Sequence, residues 1–98
     1  MKLHLYIVVT PALEQTVHQV QTRLRQALPD LSFSPAAEQQ SLENCLEFHG
    51  TADCTGQEAE TFLHWLNNDP DGGDGEYWAY GFNTRMADPA IYYFRLEF

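Results

Sequence analysis

An α+β fold built on an antiparallel sheet is what this chain predicts, and three features carry the prediction. Residues Lys2 to Val9 alternate with a period of two, which suits a strand with one buried face. Leu13, Val17, Val20, Leu24 and Leu28 recur at spacings of three and four, which is one stripe of an amphipathic helix. Thr55-Gly56-Gln57-Glu58 has the spacing of a capping box, where threonine hydroxyl and glutamate carboxylate each satisfy an otherwise unpaired backbone donor.

In the first strand Leu3, Leu5, Ile7 and Val9 share one face and His4, Tyr6 and Val8 the other. Thr10 is placed to cap the first helix with Pro11 at its first position, and Pro29-Asp30 ends that helix. Leu31 and Phe33 suggest a short strand that Pro35 confines to an edge, and Ala36 to Gln40 reads as a turn. Leu42 to Ala52 alternates again, with Leu42, Asn44, Leu46 and Phe48 on one side and Glu43, Cys45, Glu47 and His49 on the other. The second helix buries Ala59, Phe62, Leu63 and Leu66 and stops near Asn67-Asn68, before Pro70 and the glycines of DPDGGDG. Two aromatic strands, Glu76 to Phe82 and Ile91 to Phe98, close the chain around the loop Asn83 to Pro89.

The order β-α-β-β-α-β-β predicts a ferredoxin-like split βαβ sandwich with an extra C-terminal strand. Right-handed crossovers place both helices on one face of the sheet. The other face stays open and presents His4, Tyr6, Glu43, Cys45, Glu47 and His49. Ninety-eight residues, 44% of them hydrophobic, predict a single domain over 1–98.

Charge is distributed unevenly. Between Arg25 and Arg85 lie fifty-nine residues without a lysine or arginine, and this tract holds eleven carboxylates. The formal net charge of −9 opposes DNA, RNA and anionic membrane surfaces and favours a cationic protein as partner. The start MKLHLYIVV lacks a small-residue cleavage site, and no stretch approaches a membrane span, so the expected location is the cytoplasm. Two cysteines, Cys45 and Cys54, form neither a disulfide framework nor a CxxC metal motif.

Four regions are candidate sites. On the open face, carboxylates beside tyrosine and histidine suit recognition of arginine or lysine, although a solvated sheet face has the same composition. The loop NNDPDGGDGE offers clustered oxygens, but neither register fits a calcium loop: counting from Asp69 puts Asp74 sixth and Tyr80 twelfth, and counting from Asp71 puts Glu76 sixth and Phe82 twelfth. A solvated, helix-terminating turn is the plainer account. The histidines His4, His18, His49 and His64 have no ligand spacing, and only His4 and His49 share a face. Cys54 precedes a helix, which would lower its pKa, but no histidine base lies nearby in sequence. In the aromatic C-terminal segment, Trp78, Tyr80 and Phe82 with Tyr92, Phe94, Leu96 and Phe98 are expected in the core. Tyr77, Tyr93 and Arg95 are then expected on the open face or edge, with Trp65 at the margin of the second helix stripe.

There is no GxGxxG, Walker A, GxSxG or HExxH motif, so no catalytic residue, metal or cofactor is assigned. The expectation is a non-enzymatic binding module. It would act as an immunity protein or antitoxin that occupies the positive groove of a toxin nuclease or another nucleic-acid-handling enzyme. Glu43, Glu47, Asp69, Asp71, Asp74 and Glu76 supply the charge, and Tyr6, Trp65 and Tyr77 the anchors. The rival is a small-molecule enzyme or sensor, a homodimer whose paired open faces enclose a pocket lined by His4, Tyr6, His49 and Tyr93. A purely structural homo-oligomer is a third reading.

Overall fold

A computed structural model describes residues Met1–Phe98. In chain order the elements are β1 (Lys2–Val9), α1 (Glu14–Ala27), β2 (Ser32–Phe33), β3 (Ala37–Glu38), β4 (Leu46–Asp53), α2 (Gly56–Leu66), β5 (Asp71–Gly73), β6 (Glu76–Tyr80) and β7 (Ile91–Glu97). All strands join one antiparallel sheet in the order β2-β4-β1-β7-β6-β5, and β3 pairs with the far end of β4. The C-terminal strand therefore sits inside the sheet beside β1, and the β5–β6 hairpin takes the edge.

The alternation of β1 buries Leu3, Leu5, Ile7 and Val9 in one cluster with Val17, Val20 and Leu24 of α1 and Ala59, Phe62, Leu63 and Leu66 of α2. Both apolar helix stripes thus meet the same sheet face, which leaves the opposite face uncovered. The capping box is formed: Thr55 Oγ1 accepts from Glu58 N at 3.1 Å and Glu58 Oε1 from Thr55 N at 2.9 Å. No helix is long and apolar enough to cross a membrane.

Five local expectations need correction. Thr10 does not cap α1; its hydroxyl donates to Asn44 O at 3.0 Å and its amide to Ala90 O at 2.9 Å. The helix starts instead at Glu14 behind Leu13, which provides no side-chain cap. The strand predicted from Leu42 begins only at Leu46, because Asn44 has a φ of 57° and its side chain accepts from Ala12 N. Left-handed backbone there ends the alternation, so Glu43 is exposed in a turn, and Cys45 is buried. Within the predicted turn Ala36 to Gln40, Ala37 and Glu38 pair with Glu47 and Leu46.

The other two corrections concern the aromatic strands and the acidic loop. The register Tyr77↔Leu96 and Ala79↔Phe94 turns Tyr77 and Ala79 toward the core and sends Trp78 and Tyr80 outward. Between β1 and β7 the register shifts so that Val8 faces Tyr93 while Val9 faces Ile91. Tyr92 is the extra residue of this bulge, and it stays on the outer side against Tyr80 and Phe82. DPDGGDG is a hairpin rather than only a turn, since β5 and β6 pair across Asp74-Gly75, whose φ values of 55° and 83° fit a two-residue type I′ turn.

Loop 81–90 is pinned by two buried polar residues. Asp88 accepts from Gln19 Nε2 at 3.1 Å and Ala90 N at 2.8 Å and lies 3.3 Å from Arg23 Nε. Asn67 Nδ2 donates to Thr84 Oγ1 at 2.9 Å, and Asn67 Oδ1 accepts from Asp69 N at 2.8 Å. The connection from β6 to β7 is thereby tied to α1 and to the end of α2.

Candidate functional site: an aromatic sheet face with an acidic margin

The open face is assembled by register. Val8 of β1 lies between Glu47 of β4 and Tyr93 of β7, and Tyr93 faces Tyr80 of β6. One row along, Tyr6 lies between His49 and Arg95, and Arg95 faces Trp78, which in turn faces Asp71. A third row sets His4 beside Glu97 and Glu97 beside Glu76. The same period of two that buries Leu5 and Phe94 therefore raises tyrosine, tryptophan, arginine and carboxylate on the other side.

These rings form a continuous strip. Centroids are 5.1 Å apart for Tyr6 and His49, 6.2 Å for Tyr6 and Tyr93, 4.7 Å for Tyr80 and Tyr93, and 5.2 Å for Tyr80 and Phe82. Phe82 at the end of the strip is 71% exposed, and Trp78 and Tyr80 are exposed as well. A contiguous aromatic patch left in water is the signature of an interaction surface, whereas scattered apolar residues are not.

Segment 36–45 rises beside this strip and makes a cleft of about 390 Å³ between Gln39 and Leu42 on one side and Tyr80, Tyr92 and Tyr93 on the other. Val8 forms its floor and is only 1% exposed although it lies on the helix-free face. Gln39 Nε2 donates to Tyr6 Oη at 3.4 Å, and that hydroxyl donates to Glu47 Oε1 at 3.2 Å. Partial burial pushes the Tyr6 phenol above its ordinary pKa, with the Gln39 hydrogen bond opposing and the Glu47 charge reinforcing the rise. Burial likewise raises Tyr93, while nearby Arg95 pulls it down. Both are neutral phenols at physiological pH, so neither serves as a phenolate nucleophile there.

Basic groups are largely engaged within the fold. Lys2 pairs with Asp53 at 3.8 Å, Arg23 with Asp88 at 3.3 Å and Arg95 with Glu97 at 3.6 Å, and the Arg25 guanidinium lies 4.7 Å from the centre of the Phe33 ring. Three of the fourteen carboxylates have a basic partner, and the rest project an uncompensated negative field.

The predicted site residues divide accordingly. Tyr6, Glu47, Asp71 and Glu76 belong to the open face, and Asp74 occupies the hairpin turn at its edge. Asp69 is exposed just before that hairpin, and Glu43 is exposed in the turn before β4. Tyr77 packs on the core side, stacked on Phe98 at 5.6 Å. Trp65 stacks on Phe62 at 5.7 Å and lines a separate groove of about 600 Å³ between α2 and the end of α1. Sequence reasoning missed Trp78, Tyr80, Phe82 and Tyr92 as surface groups. The Asp74-Gly75 pair was the available signal, because a type I′ hairpin there sets the start of β6.

His4 and His49 flank only a shallow, polar hollow of about 240 Å³ with Tyr6, Arg95 and Glu97. No three histidine, cysteine, aspartate or glutamate side chains are grouped to hold a metal ion. The Cys54 thiol is pushed up, first by burial and then by the Glu58 charge, which is the reverse of nucleophile activation. No protein-family model, curated protein or solved structure matches this chain, so functional inference rests on the geometry of the open face.

Proposed function

We propose that this protein is a non-enzymatic binding module that captures a cationic protein on its open sheet face. One observation carries the reading: a continuous aromatic strip occupies the face while Glu47, Asp71, Glu76 and Glu97 stand around it. Aromatic side chains supply contact area at the centre of an interface, and charged groups at its margin steer association. A second copy of the chain is a poor occupant, since two chains with a net charge of −9 each would repel.

The partner class that fits is an enzyme with a positive groove for phosphates, and the role is that of an immunity protein or antitoxin neutralising a toxin nuclease or similar enzyme. The order β2-β4-β1-β7, with both helices on one face, supports a ferredoxin-like split βαβ unit extended by the β5–β6 hairpin. Two free, buried cysteines suit a reducing compartment, the cytoplasm.

The test is capture from the native organism at low and high salt, followed by activity assays on the captured enzyme. We expect a basic nucleic-acid-handling enzyme to be bound and inhibited, with association slowed about tenfold at low salt by combined E47K, D71K and E76K substitutions. Capture of no basic protein, or capture indifferent to charge reversal, refutes the reading.

A further inference from the structure

The cleft beside the aromatic strip has a composition unlike the margin around it. Its wall residues are uncharged: tyrosines 6, 80, 92 and 93 with Gln39 and Leu42. The rings do not lie in one plane. Tyr80 and Tyr93 are inclined at 45°, Tyr6 and Tyr93 at 65°, and Tyr80 and Tyr92 at 88°. A tyrosine ring carries negative potential on its face, and several tyrosines lining a cleft above an apolar floor suit an organic cation.

Two further observations specify the cation. Glu47 stands on the strand adjoining Val8, the cleft floor, and its Oε1 is engaged by the Tyr6 hydroxyl while nothing in the chain donates to its Oε2. A charge-assisted acceptor is thus available next to the aromatic box. The chain also provides its own example of the contact, because the Arg95 guanidinium carbon lies 5.2 Å from the Tyr6 ring centre. Arg95 belongs to the neighbouring hollow and is paired with Glu97, so it leaves the cleft unfilled. A guanidinium is preferred to an ammonium because it is planar, stacks on rings and bonds a carboxylate through a fork of donors.

We propose that this cleft seats one arginine side chain of the partner protein, its guanidinium held among Tyr80, Tyr93 and Tyr6 with the Glu47 carboxylate as counter-charge. The proposal deepens the docking reading of the open face and rests on it. The net charge of −9 and the unpaired carboxylates around the strip supply the complementarity that selects a basic partner over an acidic one.

The experiment is an NMR titration of the whole protein with N-acetyl-argininamide, following the tyrosine ring protons. Parallel titrations use the uncharged isostere N-acetyl-citrullinamide, N-acetyl-lysinamide and free arginine. We expect saturable shifts at Tyr6, Tyr80, Tyr92 and Tyr93 with a Kd on the order of 10 mM for the arginine amide. Binding of citrullinamide should be at least about fivefold weaker, and Tyr80→Leu and Glu47→Gln should each weaken arginine binding several-fold. Core resonances of Leu3 and Phe94 confirm that each variant is folded.

Equal binding of citrullinamide, shifts that do not saturate, or indifference to both substitutions overturns the cation site. Lysinamide binding as tightly overturns the guanidinium assignment, and free arginine binding more than about tenfold tighter than its amide overturns the protein side chain in favour of a free amino acid. The titration needs no partner, so the two readings fail separately. Arginine binding with partner capture indifferent to charge reversal removes the docking role, whereas charge-dependent capture without arginine binding removes the cleft assignment.

Discussion

The two faces of the sheet are built from the same strands with opposite chemistry. On the helix side, Phe48 and Phe94 are almost wholly buried among aliphatic side chains. On the open side, the strip is built from tyrosines and His49 with exposed Phe82 at one end, and Trp78 is exposed one row away beside Arg95. Both sets are large, and they differ in what covers them. Bulk alone therefore does not identify a core position; bulk facing another element does. Their hydroxyls let the tyrosines of the strip meet water while keeping their ring faces available for contact.

The sharpest way to break this contrast is to truncate one ring from each side. Phe94→Ala should lower unfolding free energy by about 3–5 kcal/mol in urea denaturation, because it leaves a cavity beneath both helices. A loss below about 1 kcal/mol would show that the helix-side packing is not the source of stability. The next largest effect is expected at Asp88, whose removal strands the Gln19 amide, the Ala90 amide proton and Arg23 together. Asp88→Ala should cost about 2 kcal/mol. It should also loosen loop 81–90, visible as faster amide hydrogen exchange in β6.

Thr55→Ala should cost about 1 kcal/mol, since the cap orients the helix that closes the core. The Glu58 half of the cap adds a pH dependence with a fixed sign. Hydrogen bonding, first from the Thr55 amide, holds the Glu58 carboxyl below its ordinary value of 4.5, so the folded state favours the ionised form. Its contribution is present at neutral pH, declines as pH falls below the unfolded value and is lost below the folded one. Thermal melts of wild type and Glu58→Gln should accordingly converge as the solution is acidified, and parallel curves would refute the assignment.

At the small end, Tyr80→Ser should change stability by less than about 1 kcal/mol while weakening partner capture, because the ring is partly exposed and packs on the open face rather than in the core. A large stability loss there would mean that the open face is a second core.

Strand β1, the α1 stripe from Val17 to Leu24 and the Thr55 capping box were legible because each depends on local spacing that the tertiary fold preserves. The phase of β6 was not legible: Trp78, Tyr80 and Phe82 outweigh Tyr77 and Ala79 in bulk, so a rule that buries bulk selects the wrong face. Only pairing with β7 decides it, by setting small Ala79 against Phe94. Asn44 hid the start of β4 for a related reason, since a left-handed residue interrupts the backbone without interrupting the apparent alternation of the letters. Of the site, Tyr6 and Glu47 followed from the period of two, whereas Tyr77, expected on the open face or edge, packs on the core side, and Trp65 lies at the margin of the α2 stripe, as expected, but away from the open face. Trp78 and Tyr80 could be placed only after the hairpin register was known.

The bulge at Tyr92 makes the aromatic strip editable independently of the fold. Without that residue Val8 and Val9 would meet Tyr93 and Ile91 in unbroken register, and Phe94 and Leu96 would keep their places under the helices. Deleting Tyr92 should therefore remove one wall of the cleft while leaving the fold assembled. Length, and not only composition, becomes a means by which this scaffold can change the shape of its outward face.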